Sequence, residues 1–65
     1  MLTWTTKTEE GITSQVAKSA TASFEVYFAQ YAGCWILTVS RNNHGIESTE
    51  HRSEASAKAA AEEVR

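Results

Sequence analysis

The sequence predicts an α+β domain: an antiparallel β-meander of four to five strands, with one C-terminal helix packed on one face of the sheet. Three observations carry this expectation. Apolar and polar residues alternate with period two through most of the chain, turn-forming residues interrupt that alternation at short intervals, and an alanine-rich segment of helical period closes it.

The first strand is expected over residues 2–6, where Leu2 and Trp4 alternate with Thr3 and Thr5. The second is expected over residues 12–17, with Ile12, Ser14 and Val16 on one side and Thr13 and Gln15 on the other. The two central strands carry the strongest signal, because alternation coincides with aromatic and β-branched content. Over residues 23–29, Phe24, Val26 and Phe28 oppose Glu25, Tyr27 and Ala29. Over residues 34–40, Trp35, Leu37 and Val39 oppose Cys34, Ile36, Thr38 and Ser40. A weaker fifth strand follows over residues 46–50. Glu9-Glu10-Gly11, Gln30-Tyr31-Ala32-Gly33 and Asn42-Asn43-His44-Gly45 read as the hairpin turns, since Asn and Gly tolerate positive φ. Residues 18–22 read as a loop or a turn. Connections this short join antiparallel neighbours.

Helical period begins after Ser53, an N-cap residue, with Glu54 in the first turn where it suits the dipole. Over the expected helix, residues 54–64, Ala57, Ala60, Ala61 and Val64 form one narrow stripe. Glu54, Lys58 and Glu62 follow each other at i, i+4 on another side. Small residues on the helix allow close approach to a sheet face bearing Phe24, Phe28, Trp35 and Leu37.

Sixty-five residues make a single domain, residues 1–65, and a chain this short buries only about 60% of the surface its unfolded form exposes. No apolar run approaches the roughly 18 residues of a membrane span. The start, MLTWTTKTEE, has neither the basic nor the apolar region of a secretory signal, and one cysteine makes no internal disulfide. These features point to the cytoplasm. The formal net charge of -2 is carried entirely by Glu on the acidic side, a poor match to a phosphate backbone.

No catalytic or cofactor set emerges. Cys34, His44 and His51 have no zinc-site spacing. Ser48 and His51 fall on opposite faces of a strand, and Cys34 has no flanking cation. No enzyme activity, cofactor or metal is expected. A single helix covers one sheet face, which leaves Tyr27, Cys34 and Ile36 at the centre of the other, ringed by Thr13, Gln15, Glu25, Thr38 and Thr49. That face is the expected contact surface, with Glu25 and Glu47 as its charges and Tyr27 and Ile36 as its apolar anchors. A homodimer through this face or through a sheet edge is a further expectation, since only Lys7 and Lys18 are available to blunt the edges.

Leu2-Thr3-Trp4-Thr5, Phe24-Glu25-Val26, Gly33-Cys34-Trp35-Ile36-Leu37 and the closing Ala57-Lys58-Ala59-Ala60-Ala61-Glu62 together resemble small phage or prophage accessory proteins. The resemblance implies a protein that works by binding a host protein, as anti-CRISPR inhibitors do. The acidic balance, the missing catalytic set and the uncovered sheet face set the expected mode of action: a non-catalytic inhibitor or modulator of a host machine such as a CRISPR effector, occupying a basic nucleic-acid-binding surface with Glu side chains and the open sheet face. Three strands followed by a helix is also the layout of the arm-site-binding domains of phage integrases, which are basic where this chain is acidic. The alternative expectation is a small homodimeric, DNA-associated phage accessory protein.

Overall fold

The computed structural model describes residues 2–41 and 45–64, so the expected turn at Asn42, Asn43 and His44 lies outside the described residues. The chain runs β1 (Thr5–Glu9), β2 (Ile12–Lys18), β3 (Ala22–Ala29), β4 (Cys34–Arg41), β5 (Gly45–His51) and α1 (Glu54–Val64). The five strands form one antiparallel sheet in sequence order, with α1 packed on it. This is the α+β meander that the alternation predicts.

Turn chemistry explains the joints. Glu9 pairs with Ile12, leaving a two-residue turn in which Glu10 has φ 51° and Gly11 φ 79°. Two successive positive φ values make the tight hairpin turn whose twist matches the flanking strands. Glycine meets that demand freely, whereas Glu10 holds a conformation that side-chain-bearing residues seldom adopt. Between β2 and β3, the Ser19 hydroxyl oxygen accepts from the backbone N–H of Thr21 at 3.3 Å and of Ala22 at 3.2 Å. Residues 18–22 are therefore a side-chain-tied turn. Between β3 and β4 the N–H groups of Ala32 and Gly33 both donate to the Ala29 carbonyl, and Gly33 takes φ 67°.

The core forms where β3 and β4 meet α1. Phe24 pairs with Val39 and Val26 with Leu37, so these four side chains share the helix side of the sheet. Ala57 and Ala61 are fully buried against that cluster, and Ala60 packs at its margin. The Ser53 hydroxyl accepts from the Ser56 N–H at 3.0 Å, the N-cap bond expected there, worth about 1 kcal/mol. The Glu54–Lys58 pair forms at 2.9 Å.

Three expectations need correction. The first strand starts at Thr5, so its bounds are 5–9 where 2–6 is expected. Leu2 joins the core cluster and Trp4 packs against it, although neither pairs in the sheet. The reason is the narrowness of the helix: α1 packs on β3, β4 and β5 but not on β1 or β2. Leu2 and Trp4 take the remaining space. The Leu2 N–H donates to Glu62 Oε2 at 2.8 Å, and Lys58 Nζ sits 5.4 Å from the Trp4 ring centroid. Second, Phe28 is exposed and does not belong to the core. It lies one residue beyond the last β2–β3 pair, Ser14 with Tyr27, and meets Trp35 edge-on at 5.4 Å. Third, Val64 at the end of the helical stripe is exposed.

Candidate protein-binding surface

Antiparallel partners share a sheet face, so the register places every side chain relative to the helix. Gln15 pairs with Val26, which puts Gln15 and Thr13 on the helix side. Glu47 pairs with Val39 and Thr49 with Leu37, which puts these two there as well. The expected ring around the uncovered face is corrected accordingly: Thr13, Gln15, Glu47 and Thr49 stand on the opposite face from Glu25, Tyr27 and Ile36. Glu47 remains exposed, on the side of the sheet that carries α1. Ser48 and His51 do fall on opposite faces, and the His51 ring bonds Thr49 Oγ1 at 2.8 Å instead.

The uncovered face carries Ser14 and Tyr27 side by side, then Ile36, then Glu50, in one row across four strands. Ile36 is only 7% exposed and Tyr27 is half-buried. Ile36 is therefore not available as an anchor. The apolar groups that do meet solvent are displaced toward the turns: Ile12 is 59% exposed and Tyr31, at the β3–β4 tip, 88%.

Those two side chains flank an open trough of about 960 Å³ at the turn end of the uncovered face. Its floor is Ser14 and Tyr27, and its rim includes Lys7, Glu9, Glu10, Glu25 and Gln30. Three carboxylates against one ammonium leave this end acidic, and Lys7 Nζ already lies 3.5 Å from Glu9 Oε1. The same face continues toward β5 as a second hollow, where Lys7, Lys18, Glu25, Ser40 and Ile46 line the wall. The face thus grades from acidic at the Glu10 tip to basic at Lys18. Carboxylates can receive cations, and phenol rings can lie against them.

Of the four residues expected to meet a partner, the structure brings Glu25 and Tyr27 together in the trough, buries Ile36 and sends Glu47 to the other face. The sequence does not single out Tyr31 or Ile12, and the adjacent carboxylates Glu9 and Glu10 read as ordinary solvated surface of a turn. A signal was present in Glu10-Gly11: the two-residue turn favours Asn or Asp where this chain holds Glu.

Among the described residues no group of three metal-ligating side chains converges, and His44 lies outside them. Arg41, on the helix side, reaches the Val64 carbonyl at 3.5 Å, while Lys18 is on the uncovered face and Arg52 in the connection to α1. Among the described residues no helix is long and apolar enough to cross a membrane. Comparison with protein-family models, with curated proteins and with solved structures finds no match to this chain.

Proposed function

We propose that this chain is a non-catalytic binding protein whose acidic trough receives a basic segment of a partner protein. In keeping with its resemblance to phage accessory proteins, the reading is an inhibitor or modulator of a host protein, of the anti-CRISPR type. The observation that carries it is the grouping of exposed Tyr31 and Ile12 with Glu9, Glu10 and Glu25 around one open trough. Glu10 adds weight. A Glu held at φ 51° costs stability that Gly or Asn would spare, and its carboxylate stands at the trough rim. Arg or Lys side chains entering the trough would pair with the carboxylates and lie against Tyr31, displacing nucleic acid from the partner's own basic surface.

The test is direct. The chain is used to capture partners from a host lysate, and an Arg-rich peptide titrated by fluorescence anisotropy supplies a defined probe. Replacing Glu9, Glu10 and Glu25 together by Lys should weaken binding by about 10- to 100-fold, at about 0.5–1 kcal/mol per exposed charge contact. Tyr31→Ala should cost about tenfold. Binding should also weaken as salt is raised. Glu47→Lys, on the opposite face, should change affinity less than twofold. If Glu47→Lys proves as damaging as the triple replacement, only net charge matters and the trough is not the binding surface.

A further inference from the structure

The two edges of the sheet are protected unequally. β1 carries Lys7 at its centre, flanked by Thr6 and Thr8. Two-fold antiparallel pairing of two β1 edges about that residue would set Lys7 directly opposite Lys7, with Cβ atoms about 5 Å apart, and edge lysines are a usual device for keeping edges apart. β5 has no such guard. Gly45–His51 contains no Lys, Arg or Pro, and its first six residues are all exposed. Its inner side pairs with β4 throughout, from Arg41 with Gly45 to Trp35 with His51, and among the described residues its outer side has no strand neighbour.

The residues of β5 are complementary to themselves. Antiparallel pairing about Ser48 sets Ser48 against Ser48, Glu47 against Thr49, Ile46 against Glu50 and Gly45 against His51. No carboxylate stands directly opposite another. Ile46, 71% exposed, meets the alkyl stem of the second copy's Glu50. The nearest like-charge approach is diagonal, Glu47 to Glu47 at about 7–8 Å.

We propose that the chain self-associates through β5 into a two-fold dimer with one continuous sheet, five strands from each copy. The axis of an antiparallel edge pairing stands perpendicular to the sheet. Both helices therefore lie on one side of the dimer and both troughs open on the other. The pairing uses none of the trough's lining residues, so it stands or falls independently of what the trough binds.

Sedimentation equilibrium of the full chain, from about 10 µM to about 1 mM, covers the range expected for an interface this small. The wild type should show monomer and dimer with no larger species. Ser48→Lys and Ser48→Glu, at an exposed position, should each weaken the dimer at least tenfold with an unchanged circular dichroism spectrum. An equimolar mixture of these two variants should restore a heterodimer, because Lys then faces Glu across the axis. Glu47→Gln, which relieves the diagonal repulsion, should tighten the dimer several-fold. A wild type that stays monomeric throughout, or a Ser48→Lys chain that dimerises as well as the wild type, overturns the proposal. So does a mass that grows past two copies, the mark of β1-to-β5 pairing, which does not close.

Discussion

Phe24→Ala is expected to abolish cooperative folding at physiological temperature. Phe24 is 2% exposed and lies at the middle of the core, between Ala17 on β2 and Val39 on β4. Truncating a buried Phe to Ala costs about 3–5 kcal/mol through lost transfer energy and the cavity left behind. A core in a chain this small supplies no more than about that in net stability. The alternating neighbours cannot collapse into the gap, because the strand ladders on both sides hold β3 in place. Far-ultraviolet circular dichroism and the fluorescence of Trp4 and Trp35 would report the loss. Phe24→Leu, which retains most of the volume, should stay folded with a lowered melting temperature. A cooperative melt for Phe24→Ala close to that of the wild type would show that the core lies elsewhere.

The second large effect is expected from adding volume. Ala61→Leu should destabilise the domain by about 1–3 kcal/mol, because Ala61 is fully buried where α1 meets the core. Three added carbons there must push the helix outward, which also strains the Leu2 N–H bond to Glu62 one residue along. Ala59→Leu is the matched control: the same change at an exposed position of the same helix, expected to shift stability by less than about 0.5 kcal/mol. Thermal melts of the pair separate packing from helix propensity, since both substitutions replace one good helix former by another. Equal effects of the two would refute the close-packing account.

Much of this architecture was legible in the residues. The helix occupies 54–64 as expected, and the central strands match to within one residue at either end. Phe24, Val26, Leu37 and Val39 lie on the core side because β-branched and aromatic content reinforces alternation there. What alternation cannot supply is which side of a strand faces the helix. β2 shows why. Its larger apolar residues, Ile12 and Val16, stand on the uncovered face, while the core takes only the small Ala17. A strand read alone would be turned the other way, and the ring of residues assigned to the uncovered face inherits that error at Thr13 and Gln15.

The candidate surface was half legible for a related reason. Glu25 and Tyr27 share β3 with the core residues, so their orientation follows from the strongest alternation in the chain. Glu47 belongs to a weakly patterned edge strand, and only its pairing with Val39 shows its side. Alternation gives the face of Ile36, but its burial depends on neighbours from adjacent strands. Tyr31 and Glu10 sit in turns, where side-chain periodicity carries no information. Their common trough arises because two hairpin tips fall at the same end of the sheet.

Strand order equal to sequence order has a kinetic consequence. Each ladder joins segments separated by one short turn, so every hairpin closes a small loop and little chain entropy opposes its formation. The contacts that span the chain are those of the segment before β1 with α1; the Leu2–Glu62 bond bridges 60 positions. Those contacts should be the last gained and the first lost. Native-state hydrogen exchange should therefore show the Leu2 amide opening by a low-energy local event, well before the amides of the β3–β4 ladder, which should require global unfolding. Equal protection at the two places would mean that the fastening of α1 and the zipping of the sheet are a single event.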